Sequence, residues 1–254
     1  MKELLFKKYK VFKVRCATFS ARIKRSFTST TLRGNEFFNI PIIVNNRNRY
    51  TFLKELICWL EQNNYTNIYI LDNDSTYAPL LEYYASTNHK VIYLGANFGY
   101  KALWKSELFS RIERGYYVYT DSDLLPTQDC PSNLVENLYK ILRKYKAIEK
   151  IGVALKIDDI PDSYALKQDV IRVESQYWLK KVEGDIYDAP VDTTFALYRP
   201  YAQGDAEECK AYRVAGNLIF KHQPWYENSA EPTAEDVYYR KSVAGGSSYW
   251  LNFK

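Results

Sequence analysis

The chain reads as an α/β fold: a mainly parallel, Rossmann-like central sheet with helices on both faces and a smaller mixed region toward the C-terminus. Three observations predict it. From Phe37 onward, hydrophobic runs of strand length alternate with segments whose apolar residues recur at helical spacing. The connections between the runs are long enough for helical crossovers, which parallel strands require. The early runs stop at polar segments: Asn45-Asn46-Arg47, Asp72-Asn73-Asp74, Asn97-Phe98-Gly99 and Asp121-Ser122-Asp123. In such a sheet these ends share one edge, and ligands bind beyond the carboxyl ends of the strands.

Taken in order, Phe38 to Val44 is the first expected strand. Tyr50 to Gln62 carries Phe52, Leu53, Leu56, Ile57 and Leu60 at helical spacing, and Asn63-Asn64 ends it. Asn67 to Leu71 is the second strand, and Pro79 opens a short helix through Ala85. Val91 to Leu94 is the third strand, followed by a turn at Gly95 to Gly99 and a helix from Tyr100 to Arg114. Tyr116 to Thr120 is the fourth strand, Pro131 to Tyr145 a helix, and Ile151 to Lys156 the fifth strand. After Asp159 the alternation decays. Ile171 to Val182 reads as helical, Ala189 to Tyr198 as a turn and strand, Tyr212 to Lys221 as a strand, and Glu235 to Lys241 as a last short helix.

With 254 residues and 46% hydrophobic content the chain can bury a full core. Its 24 tyrosines supply apolar area with a polar tip, suited to sugar-facing and membrane-facing surfaces as well as to cores. The net charge of +5 is uneven. Residues 1–34 carry Lys2, Lys7, Lys8, Lys10, Lys13, Arg15, Arg22, Lys24, Arg25 and Arg33 against the lone acid Glu3, and the remainder is slightly acidic. A protein-wide nucleic-acid surface is therefore not expected. Leu4, Leu5, Phe6, Phe12 and Phe19 are interleaved with those cations. This leader fits a helix lying on an anionic membrane surface, and equally an ordinary N-terminal helix or basic tail. Cys16, Cys58, Cys130 and Cys209 form no C-x-x-C pair, and with only His89 and His222 beside them a Cys/His zinc site is not expected. Reduced thiols, no apolar run of about 18 residues and no secretory signal pattern together suggest a cytoplasmic protein.

Asp121-Ser122-Asp123 is the most informative motif. Two carboxylates at the end of a buried strand need a positive partner. A hard divalent cation, Mn²⁺ or Mg²⁺, that also touches a diphosphate is the natural one.

Together, Val44-Asn45-Asn46, Leu71-Asp72-Asn73-Asp74-Ser75-Thr76, Asn97-Phe98-Gly99 and Thr120-Asp121-Ser122-Asp123 resemble the strand-end motifs of GT-A glycosyltransferases, especially the family 2 type. The later runs Ala189 to Tyr198 and His222-Gln223-Pro224-Trp225-Tyr226 are similar to a bacterial branch of that superfamily, so the resemblance covers most of the chain after the leader. It implies a catalytic domain over 35–254, with a nucleotide-sugar half at 35–125 and an acceptor half at 126–254. The donor would be a nucleotide-diphospho-sugar, UDP-linked. By the resemblance, Asn45, Asn46, Asp72 and Asn73 hold base and ribose, and Asn97 and Gly99 line the same pocket. Asp121 and Asp123 bind the metal through the diphosphate, with Asp123 ranked above Asp121 as the more direct ligand. His222 is either a further ligand or an ordinary packed histidine.

For an inverting transfer, Asp192 is the candidate general base and Glu235-Asp236 the rival pair. Asp158-Asp159 are more simply loop residues than acceptor contacts, and Tyr177, Trp178, Trp225 and Tyr226 either stack on sugar or pack internally. The expected activity is metal-dependent hexosyl transfer to a glycan or lipid-linked glycan in cell-surface polysaccharide synthesis. The alternatives are a sugar nucleotidyltransferase, whose usual glycine-rich basic loop after the first strand is missing at Asn45 to Arg49, and a non-catalytic nucleotide-binding or membrane-docked module.

Overall fold

The computed structural model describes residues 18–26, 31–204 and 209–243. Its centre is a nine-stranded sheet. The strands at its parallel side are β1 (Ile42–Asn46), β2 (Ile68–Asp72), β3 (Lys90–Tyr93) and β4 (Tyr117–Asp121). Beyond them lie β6 (Lys150–Val153), β7 (Lys181–Glu183), β8 (Ile186–Tyr187), β9 (Ala196–Tyr198) and β10 (Ala211–Val214), in the order β3-β2-β1-β4-β9-β6-β10-β8-β7. The parallel expectation holds from β3 to β4. Beyond β4 the sheet is mixed, as expected for the later region: β9 runs antiparallel to both neighbours, β6 and β10 pair in parallel, and β7–β8 form an antiparallel hairpin on the far edge. A separate two-stranded ribbon pairs β5 (Leu124–Pro126) with β11 (Phe220–His222).

Strand pleating sends alternate residues to opposite faces, and each face has its own core. On one, Ile42, Val44, Ile68, Ile70 and Val118 pack against α2 (Thr51–Gln62), α3 (Ala78–Ser86) and α6 (Leu134–Lys144). On the other, Ile43, Leu71, Tyr117, Tyr119 and Tyr198 meet α4 (Ala102–Lys105) and α5 (Glu107–Ile112). The helices α7 (Lys167–Glu174) and α8 (Ala234–Ser242) complete the fold.

Several expected elements differ, each for a local reason. Residues Gly34–Asn39 are a 3-10 helix rather than the start of a strand, with Glu36 closing back on the Arg33 backbone N–H. The helix expected over Tyr100 to Arg114 is broken at Ser106, which is extended and turns its hydroxyl onto Leu103 O. The helix expected over Ile171 to Val182 ends at Glu174, passes through a 3-10 turn and gives way to β7. The strand expected over Tyr212 to Lys221 is split by Gly216, whose φ of +65° suits glycine and whose added Cβ would meet Asp185 Oδ2 at 2.6 Å.

Most of the basic leader falls outside the described residues. Its helical part, 18–26 (α1), buries Ala21 and is tied to the body by Arg25, which grips Glu149 with Nη1 at 2.5 Å and Nη2 at 3.0 Å. Phe19 and Ile23 remain exposed on it. Among the described residues no helix is long and apolar enough to cross a membrane, and Cys58, Cys130 and Cys209 form no disulfide.

Candidate functional site

Successive strands β1, β2 and β3 progress in one direction, whereas β4 returns to the other side of β1. This reversal is the switch point at which an open α/β sheet leaves a crevice. Asn45 and Asp121 are partners across it, and Asn45 Nδ2 donates to Asp121 Oδ1 at 3.0 Å. A cleft of about 700 Å³ opens there, and Asn45, Asn73, Asn97, Gly99, Asp121, Asp123, Asp192 and His222 all line it.

Pleating explains which strand-end residues reach the cleft. Asn45, Asp121 and Ser122 line it, while Asn46 does not and instead accepts from Ser122, Ser122 Oγ to Asn46 Oδ1 at 2.6 Å. Asn46 Nδ2 also donates to Tyr84 Oη at 2.8 Å, so Asn46 is buried beneath the floor. Asp72 is buried there too, its Oδ2 accepting from the Ser75 N–H at 3.2 Å across the turn that follows β2. Neither Asn46 nor Asp72 lines the cleft, unlike Asn73. Asn73 ties β2 to the next loop, accepting from Phe98 N at 2.7 Å and donating to Gly99 O at 3.1 Å. Asn97 accepts from Gly99 N at 2.9 Å, and Gly99 takes a φ of +58°, which glycine adopts without strain.

Two later segments complete the acidic centre. The loop before β9 locks onto β4: Asp121 N donates to Thr193 O at 2.8 Å, and Thr193 Oγ1 donates to Asp121 Oδ2. This carries exposed Asp192 to the same wall. The β5–β11 ribbon brings His222 opposite Leu124, leaving His222 Nε2 3.5 Å from Asp123 Oδ2 and its ring against Trp225, centroids 4.6 Å apart.

The electrostatics follow from this crowding. Burial, together with the charge of Asp123, pushes the Asp121 carboxyl up to about 8, even though Thr193 and Asn45 donate to it. Burial lowers the His222 pKa despite Asp123, so its imidazole is neutral at neutral pH, the form that ligates metals. His222 Nδ1 and Asn45 Oδ1 are buried without a protein partner. Among the described residues no group of three or more His, Cys, Asp and Glu side chains converges to hold a metal ion by itself. Asp123 and His222, 3.5 Å apart, could instead contribute to a cation shared with a ligand, because Mg²⁺ commonly takes one or two carboxylates and completes its shell with phosphate and water.

Glu235 and Asp236 do not line the cleft. Glu235 caps α2, accepting from Tyr50 N at 2.9 Å and Thr51 N at 3.0 Å, and Asp236 pairs with Arg49 at 2.5 Å. Asp158 pairs with Lys156, and Asp159 holds Lys221 and Tyr226. Trp225 is buried, Tyr177 lies under the Arg213 guanidinium, and Trp178 packs on Tyr187. Sequence reasoning missed the cleft residues Arg47, Arg49, Glu174, Arg213 and Tyr239. Arg47 and Arg49 were visible after the first strand, whereas the other three are brought in by long-range packing that no local pattern signals. Tyr239 sits close enough to the acids that burial and Asp123 push its hydroxyl up to about 12. Comparison of the chain with protein-family models and with curated proteins gives no match.

Proposed function

We propose that this protein is a metal-dependent glycosyltransferase that moves a hexose from a nucleotide-diphospho-sugar, UDP-linked, to a glycan or lipid-linked glycan acceptor. The observation that carries the reading is the Asn45–Asp121 contact at the switch point, which sets Asp121 and Asp123 on a cleft wall beside Asp192 and His222. In this reading Asp123 and His222 hold the cation, with Asp121 braced behind them by Asn45 and Thr193. The cation supplies Lewis-acid neutralisation of the charge on a departing nucleoside diphosphate. Asn45, Asn73, Asn97 and Gly99 form the nucleoside end, with Arg47 and Lys101 adding positive charge toward the phosphates. Asp192 takes the proton from the acceptor hydroxyl, a role its exposed carboxylate suits.

The test is turnover of a panel of UDP-hexoses, with and without Mn²⁺. Asp123→Ala is expected to lower kcat by at least about 100-fold while the protein stays folded. Undiminished turnover in that variant, or full activity in excess chelator, contradicts the proposal.

A further inference from the structure

The lined edge of the sheet is longer than the switch point alone. From β2 to β10 the order is β2-β1-β4-β9-β6-β10, and intervals of about 4.8 Å make this span roughly 24 Å. The carboxyl ends of β2, β1, β4, β6 and β10 and the amino end of β9 all face the same way. The amides and the cations Arg47 and Lys101 occupy the β2–β1 end, and the acids sit at β4 and β9. The β9–β6–β10 end is lined differently, by Leu155, Glu174, Thr194, Arg213 and Trp225.

We propose that this second end is an acceptor subsite that takes a neutral sugar through its hydroxyl groups; the assignment rests on the nucleotide-sugar reading of the first end. Glu174 and Arg213 are both buried and pair at 2.6 Å, while Arg213 Nε donates to Pro190 O at 2.7 Å and the guanidinium stacks over Tyr177 at 4.1 Å. The pair is neutral overall, so it offers no net charge to draw in a phosphate or a carboxylate. It does present an acceptor group beside a donor group, the complement of neighbouring sugar hydroxyls, each of which both donates and accepts.

Thr194 gives the independent observation. It is 7% exposed, it lines the cleft, and its Oγ1 is buried with no hydrogen-bond partner in the protein. A buried hydroxyl without a partner costs stability, which a ligand hydroxyl at this wall offsets. Asp192 lies two residues earlier on the same loop, between the two ends, where an acceptor hydroxyl has to be deprotonated.

Thr194→Val tests the subsite cleanly, because it keeps the side-chain shape and removes only a hydroxyl that the protein itself does not use. Glu174→Gln is the second variant, retaining an acceptor for Arg213. Binding of a panel of methyl hexosides to protein carrying Mg²⁺ and UDP is measured by saturation-transfer NMR, and Mg²⁺–UDP affinity by calorimetry. At least one glycoside is expected to bind the native protein, and each variant to weaken it about tenfold or more. Mg²⁺–UDP affinity is expected to stay within about twofold. Unchanged glycoside affinity in Thr194→Val overturns the proposal, and so does a native protein that binds Mg²⁺–UDP but none of the glycosides. A native protein that fails to bind Mg²⁺–UDP instead sinks the donor reading, and the subsite with it.

Discussion

Asp121 with Asp123, and Glu227 with Asp236, are two carboxyl pairs in this molecule, and only the second has an arginine in direct contact. In that pair burial alone would raise Asp236, but hydrogen bonds from Glu227 and Arg49 outweigh it and hold Asp236 below the usual range. Glu227 goes the other way, pushed up to about 8 by burial and by its bond to Asp236. The sign of the pH effect follows. Below the ordinary value of 4.5 Glu227 is protonated whether the chain is folded or not, and its contribution is fully present. As pH rises from 4.5 to about 8 the unfolded chain has shed that proton and the folded one keeps it, so stability is lost across that window. Asp236 titrates below it. Glu227→Gln donates an amide N–H to Asp236 without titrating. Its stability advantage over the native protein, read from Tm, is therefore expected to grow between pH 5 and pH 8, reaching on the order of 1 kcal/mol, since half-exposure screens the effect. A Tm difference that stays flat with pH removes this account.

Legibility at this scale follows the strand pleat. Asn45, Asn73, Asp121 and Asp123 could be read from the sequence because each ends or follows a hydrophobic run. Asn46 and Asp72 were equally visible, yet the pleat and the bond from Ser75 N hold them under the floor. A one-residue difference in direction is set by register, and sequence patterns leave strand ends uncertain by more than that.

At the scale of elements, α2 begins without a cap of its own. Tyr50 stands at its N-cap and offers no side-chain bond there. Glu235 supplies it from α8, where its carboxylate accepts from Tyr50 N, Thr51 N and Thr51 Oγ1, and its charge lies at the positive end of the α2 dipole. The same turn of α8 places Asp236 on Arg49, whose guanidinium stacks on Tyr239 at 3.8 Å. Glu235→Ala is expected to cost about 1–2 kcal/mol in urea unfolding, with Glu235→Gln recovering part of it. A residue acting as base would show the opposite pattern, unaltered stability with lost turnover. Such caps are beyond sequence reading because donor and acceptor lie far apart along the chain. The strands β5 and β8 were hidden for another reason: runs of two or three residues are too short to show a period. The longer amphipathic elements α2 and α6 and the strands β1 to β4 were legible, because burial on one face imposes a pattern across many residues.

For the whole molecule, the sheet joins a parallel half to a mixed half, and the cleft runs along the seam between them. Its acids come from β4 and from the loop before β9, and its histidine from the β5–β11 ribbon, so no single segment forms the site. A ligand bridging these parts binds only the folded chain and must raise its stability by mass action. At a UDP concentration about 100 times its Kd the gain is about 2.7 kcal/mol, equivalent to roughly 5–10 °C in Tm for a domain of this size. On the proposed reading this gain depends on a divalent ion, because the acids Asp123 and Asp192 line the same wall as the diphosphate would. Without one, a diphosphate would bring negative charge to a wall that already holds the carboxyl groups of Asp123 and Asp192. The full Tm shift is therefore expected only with UDP and Mn²⁺ together, each alone giving a small part of it, and Asp123→Ala is expected to remove the Mn²⁺-dependent share. A shift of the same size with UDP in excess chelator would show that the arginines and amides bind the nucleotide unaided, and that the carboxylates at the strand end hold no cation.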